Sequence, residues 1–144
     1  MNRLLSICCS MLLFSIAWGP VALAQQGPGM GQRLFETARV DTVEGVVVRM
    51  DTTDARPGHR HRGVHVQVAA SEDTLTVHMG PLFYLRQQGV SLRAGDALTV
   101  RGARVTLQEA PAMIAAEVQA HGQSWTLRDA QGRPAWAGQR RGDS

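Results

Sequence analysis

Lysine is absent from this sequence of 144 residues, so all 15 of its basic side chains are arginines. Twelve acidic side chains oppose them, and the formal net charge is only +3 with neutral histidines. A charge this small does not by itself imply a nucleic acid or an anionic membrane as the partner.

Cysteine occurs only at Cys8 and Cys9, inside a segment that we expect to be removed. Residues 1–24 have the parts of a secretory signal peptide: the positive Arg3, a nearly continuous apolar run, and the small-residue sequence Ala-Leu-Ala before Gln25. A membrane anchor and a lipoprotein signal are the alternatives. The sequence predicts a periplasmic or secreted protein with no membrane span after cleavage.

A mature chain without cysteine has no disulfide, no thiol nucleophile and no thiolate metal ligand. Other catalytic patterns are missing as well. The sequence contains no Gly-x-Ser-x-Gly elbow, no phosphate-binding glycine loop and no His-Glu-x-x-His motif. We therefore expect a protein that is not an enzyme.

Two runs of alternating apolar and polar residues, joined by a short polar turn, predict a β-hairpin over residues 64–79. If Ala70 pairs with Asp73, the apolar side chains share one face. The facing pairs are then Val68 with Leu75, Val66 with Val77, and Val64 with Met79. The same register places His65 opposite His78, because a slip of one residue would turn one strand's valines to solvent.

The order of elements is strand, long loop, strand, tight turn, strand, short helix, strand, strand. This order predicts an all-β fold, a five-stranded OB-fold-like Greek-key barrel with a short helix between strands 3 and 4. Another small β-barrel or sandwich is the alternative. The alternation slips at Gly45 and Gly102, which indicates bulges in the first and fourth strands. In the fifth strand, Ile114, Ala116 and Val118 are expected to share one face.

The domain prediction has four parts. A signal peptide occupies 1–24, a flexible lead-in 25–39, the barrel 40–136 and a disordered tail 137–144.

Histidines are concentrated in this hairpin and in the loop before it. Cross-strand neighbours lie about 5 Å apart, so His65 and His78 can share one metal ion, with His59 or His61 completing the site. Asp51 or Asp54 would supply oxygen ligands. Nitrogen and oxygen ligands suit a divalent transition metal such as copper, zinc or nickel. The alternative is that these histidines are ordinary solvated residues.

Three arginines in the same loop, Arg56, Arg60 and Arg62, indicate a second candidate site, which would bind an anionic ligand, polysaccharide, nucleic acid or protein. Nucleic acid is the least favoured of these partners. Aromatic residues make up only 5% of the chain, and the hairpin's polar face offers none on which bases can stack.

Several short motifs occur in an order that resembles exported bacterial OB-fold domains of the MamS/MamX type, found in magnetosome proteins and elsewhere. They are Val77-His78-Met79-Gly80-Pro81, Gly95-Asp96, Gly102, Ile114-Ala115-Ala116-Glu117 and Leu127 to Trp136, and the similarity covers Val43 to Trp136. The resemblance implies an envelope location and a non-enzymatic accessory role, sometimes near iron or redox chemistry. Covalent haem does not carry over, because Cys-x-x-Cys-His is absent. The resulting hypothesis is a periplasmic binding module in envelope metal or redox handling, whose partner is an envelope protein or a small ligand.

Overall fold

The computed structural model describes residues 30–53 and 62–139. These residues form two helices and six strands. The helices are α1 (Met30–Thr37) and α2 (Leu82–Gln87), and the strands are β1 (Val40–Thr53), β2 (Gly63–Ala70), β3 (Thr74–Pro81), β4 (Ala97–Leu107), β5 (Ala110–Ala120) and β6 (Gln123–Thr126). In this part of the chain, no helix is long and apolar enough to cross a membrane.

The strands form one sheet in the order β3-β2-β1-β4-β5-β6. A parallel pairing of β3 with β5 closes the first five strands into a barrel, and α2 lies between β3 and β4 in the chain. The predicted OB-fold-like barrel with its short helix is therefore confirmed. The strand β6 continues the sheet beyond β5 as an additional edge.

The hairpin has the predicted register over most of its length. Val68 pairs with Leu75, Val66 with Val77, and His65 with His78. The prediction for Val64 is wrong, because the register shifts between Val64 and His65 and places Val64 opposite Gly80. Both Val64 and Met79 are nevertheless buried in the core. A bulge at this end therefore bends the hairpin without exposing its apolar side chains.

The β4–β5 register shifts between Arg101 and Gly102, as predicted, but the extra residue lies on β5 and not on the fourth strand. The shift leaves Ala116 of β5 without a partner on β4. The face prediction for β5 is wrong for the same reason: Ile114 and Ala116 lie on the outer side, whereas Val118 packs in the barrel core. One unpaired residue reverses the alternation of every residue beyond it.

The bulge expected at Gly45 lies further along β1, between Val47 and Arg49. Gly45 is instead a point of close approach. A Cβ atom there would lie 2.5 Å from the carbonyl oxygen of Ala69. The lack of a side chain at Gly45 therefore allows β1 and β2 to approach closely, and the register does not change there.

Within the lead-in predicted for 25–39, Met30–Thr37 is a helix, and residues 25–29 lie outside the described residues. Phe35 of this helix is buried against Ala103, Ile114 and Ala116 on the outer face of the barrel. Small alanines leave a shallow surface there, and one aromatic ring fills it. The neighbouring glycines and prolines favoured a loop in the sequence analysis, so this helix was not predicted.

Residues 137–139 of the predicted disordered tail form turns. The amides of Ala137 and Gln139 donate to the carbonyls of Pro134 and Trp136, so the chain is ordered in turns to residue 139. Residues 140–144 lie outside the described residues.

Candidate functional site

His65 and His78 form a side-by-side pair on the outer face of the barrel. Each follows a buried residue in an alternating strand, so both imidazoles point away from the core. Their ring centroids are 4.1 Å apart and the ring planes are inclined by 56°. The hairpin register thus brings the two predicted ligands into contact.

The environment of His78 keeps its imidazole neutral. Burial is the main cause, followed by repulsion from His65 and from the guanidinium of Arg128, and together they lower the pKa of His78 to about 4. A neutral imidazole retains a lone pair that can bind a metal ion or accept a hydrogen bond.

The lowered pKa of His78 makes folding sensitive to acid. Between pH 6.5 and about 4, this histidine takes up a proton in the unfolded chain but not in the folded one, so protons favour unfolding. We expect the free energy of unfolding to fall by about 1 to 2 kcal/mol over this range, after allowance for solvent screening. The loss should level off below pH 4, where both states are protonated.

Urea unfolding at a series of pH values measures this effect. His78→Gln should flatten the slope between pH 6.5 and 4, because glutamine does not titrate. Gln67→Ala, on the same face, removes no titratable group and should keep the slope. An unchanged slope in His78→Gln would show that other groups cause the acid sensitivity.

Arg128 is the one buried charged residue in the described part of the chain. One terminal nitrogen of its guanidinium donates to the carbonyls of Ala115 and Met79. The guanidinium carbon lies 4.8 Å from the ring centroid of Trp136. Burial lowers the pKa of Arg128 to about 10, so the group stays charged at neutral pH.

The position of Arg128 explains its burial. The parallel β3–β5 pairing ends at His78 and Ile114, and the next carbonyl on each strand is one that Arg128 binds. Arg128 therefore joins the two strands where their own hydrogen bonds stop. Sequence reasoning missed this role, because an arginine beside a turn is usually solvated.

His59, His61, Asp54, Arg56 and Arg60 lie outside the described residues. In the ranges 30–53 and 62–139, no group of three or more histidine, cysteine, aspartate or glutamate side chains is arranged to hold a metal ion. The pair alone therefore provides two ligands.

Two more of the predicted site residues, Asp51 and Arg62, lie on either side of residues 54–61. Asp51 pairs in register with His65, which places the two residues side by side on β1 and β2, and its carboxylate lies 2.7 Å from Nε of Arg49. Arg62 is exposed, and its carbonyl accepts a hydrogen bond from the amide of Leu82 at the start of α2.

The fifth histidine is remote from this pair. His121 lies at the β5–β6 turn, where its Nε2 is 3.0 Å from Oδ2 of Asp96. It takes no part in the arrangement on β2 and β3.

The fold and the site together define a class: a closed OB-fold barrel with a histidine pair on the outer face of β2 and β3, the surface that OB-folds use for ligands. Residues 39–125 match the MamS/MamX magnetosome protein family. The chain belongs to this family, as the motifs in the sequence indicated. The match ends before Arg128 and begins after α1, so both lie outside the shared region.

No curated protein matches the sequence. Among solved structures, the chain is similar to one described as the crystal structure of the S. pombe Stn1-ten1 complex, with 16% sequence identity and a TM-score of 0.47. The similarity covers 59% of this chain and 60% of that one.

Proposed function

We propose that this protein is a non-enzymatic, periplasmic binding module that handles a transition metal in the cell envelope, with His65 and His78 as two of the ligands. The observation that carries the proposal is the contact between the two imidazoles on the ligand-binding face of the barrel.

The geometry of the pair suits a shared ion. Nitrogen ligands bind zinc at about 2.0 to 2.1 Å, so two imidazole nitrogens around a tetrahedral ion lie roughly 3.3 Å apart. The ring centroids are 4.1 Å apart, a distance of the same order. Because both imidazoles extend from paired strands, little conformational entropy would be lost on binding.

The state of His78 also supports metal binding. Its low pKa means that protons do not compete for this imidazole at pH 7.5 or at pH 5.5. Ordinary histidines have a pKa of about 6.5, so a site built from them binds metal more weakly as the pH falls through that value. In this fold, any such loss would have to arise from the other ligands.

Further ligands would come from the segment between β1 and β2. This segment leaves β1 at Thr53, beside the pair, and returns at Arg62. It contains His59 and His61, and Asp51 in the next strand lies level with His65. A site of imidazole and carboxylate ligands suits copper, zinc or nickel, and copper has the highest intrinsic affinity of the three.

The location rests on the sequence. Residues 1–24 have the charge, apolar run and cleavage site of an export signal, and a mature chain without cysteine suits an oxidising compartment. An envelope protein that gives or receives the ion is the proposed partner.

Metal titration of the purified, tag-free protein tests this function. Copper, zinc and nickel are added at pH 7.5 and 5.5 to the native protein, His65→Ala, His78→Ala and the double variant. Each single substitution should weaken binding about tenfold or more, and the double should add little to either, because both ligands serve one ion.

His121→Ala is the matched control, since it removes a histidine 3.0 Å from an aspartate but remote from the pair. This variant should bind metal with the same affinity as the native protein. His59→Ala and His61→Ala identify the third ligand. Absent binding in the native protein, or binding that survives loss of both His65 and His78, would refute the metal site and favour the arginine loop of Arg56, Arg60 and Arg62.

A further inference from the structure

The second half of β1 is an open edge of the barrel. Pairing with β4 ends at Val46 and Ala97, and the last backbone bonds on that side join Val47 to Gly95 and Asp96. From Val48 to Thr53, β1 pairs only with β2 among the described residues. Exposed strand edges of this kind are templates for pairing with another strand.

Apolar side chains are exposed along the same strand. Val46, Val48 and Met50 are 45%, 46% and 45% exposed, although other residues of β1 are buried in the core. Met50 pairs with Val66, whose side chain points into the core, so Met50 lies on the inward-facing side of β1 where β4 no longer covers it. An edge that combines free backbone groups with exposed valine and methionine favours association.

The charges on this edge are self-complementary. Arg49 and Asp51 flank Met50, and Nε of Arg49 lies 2.7 Å from Oδ2 of Asp51. If two copies of β1 pair antiparallel with Met50 opposite Met50, each Arg49 faces the other copy's Asp51. Such an arrangement has the two-fold symmetry of the commonest protein dimers.

We infer that the protein forms a dimer in which residues 48–52 of β1 pair antiparallel with the same residues of a second copy, about a two-fold axis at Met50. The two methionines meet on one face of the new ladder. On the other face, two Arg49–Asp51 pairs form across the axis. The occupant of the open edge is thus a second copy of this chain, because the segment complements itself in both charge and apolar position.

This inference does not depend on His65 or His78, although it shares Asp51, a candidate oxygen ligand, with the proposed metal site. The dimer would extend the sheet from β2 and β3 of one copy, through both β1 strands, to the hairpin of the other. Each histidine pair would remain on the outer face of its own hairpin. Loss of metal binding in the histidine variants would therefore leave the dimer intact.

Sedimentation equilibrium over a concentration series tests the dimer. The native protein should show a concentration-dependent mass that approaches twice that of one chain. Asp51→Arg places arginine opposite arginine twice across the axis, and Arg49→Asp places aspartate opposite aspartate. Each should raise the dissociation constant about tenfold or more, because symmetry doubles every unfavourable contact.

Mixing the two variants tests the register. One chain then carries two acidic side chains at positions 49 and 51 and the other carries two basic ones, so both cross-strand contacts are attractive. The mixture should dimerise more tightly than either variant alone. The double exchange Arg49→Asp with Asp51→Arg should restore the homodimer.

Arg133→Asp is the control, because Arg133 forms an exposed bridge of the same kind with Asp129, far along the chain from β1. Its mass should equal that of the native protein. A native protein that stays monomeric throughout the series would overturn the inference. So would a dimer whose dissociation constant is unchanged by both Asp51→Arg and Arg49→Asp, since another surface would then hold it.

Discussion

Replacing Gly102 with alanine should destabilise the domain by about 3 kcal/mol or more. A Cβ atom at this position would lie 2.2 Å from the carbonyl oxygen of Ile114 and 3.0 Å from Cα of Ala115. These are backbone atoms of the neighbouring strand, so no side-chain rotation relieves the contact. The β4–β5 bulge would have to open, and with it the closure of the barrel.

Urea unfolding followed by tryptophan fluorescence measures the loss, because Trp125 is buried in the barrel core. Gly89→Ala is the matched control. Gly89 has a φ of +71°, and a Cβ atom added there would have nothing within 4 Å. Gly89→Ala should therefore cost only about 1 kcal/mol, from backbone strain. Equal losses at the two glycines would contradict a steric role for Gly102.

Replacing Arg128 with methionine should cost about 2 to 4 kcal/mol. Methionine keeps the length of the apolar stem but donates no hydrogen bond. The carbonyls of Met79 and Ala115 would lose a donor at the point where β3 and β5 separate, and the cation–π contact with Trp136 would disappear. The desolvation of the guanidinium opposes this loss, since removing a buried charge also removes its cost.

The lost hydrogen bonds should outweigh the relief of desolvation, because two buried carbonyls would be left without this donor where the β3–β5 pairing ends. Arg128→Lys should recover little of the stability, since an ammonium on a flexible stem lacks the fixed planar donors of a guanidinium. Arg133→Ala, an exposed arginine in the same segment, should change the free energy of unfolding by less than about 0.5 kcal/mol. A methionine variant as stable as the native protein would mean that Arg128 does not hold the barrel closed.

Patterns of period two predicted the fold correctly because they reflect burial directly. The valines of β2 and β3 alternate without interruption, and they specified both the hairpin and the meeting of His65 with His78. The slip in alternation at Gly102 correctly indicated a change of register, although the unpaired residue, Ala116, lies on β5. The slip at Gly45 did not, because a glycine required by a close contact leaves the same pattern in the sequence.

The candidate site was only partly predictable. The sequence placed the two imidazoles on one face, which requires only the local register. The pKa of His78 depends mainly on the burial that the surrounding strands impose, then on His65, and then on Arg128, 50 residues further along the chain. No local pattern carries that information.

By itself, the sequence determined the alternation of each strand, the turn and helix between them, the family resemblance and the histidine pair. Only the tertiary structure decided that β3 and β5 close the barrel and that Arg128 binds both strands where their pairing ends. It also decided that Phe35 packs α1 against the barrel and that β1 keeps an open edge. The physical reason is the separation along the chain between the residues that interact. Local pattern fixes which side of a strand is apolar, whereas closure, burial of a charge and exposure of an edge depend on contacts between residues far apart in the chain.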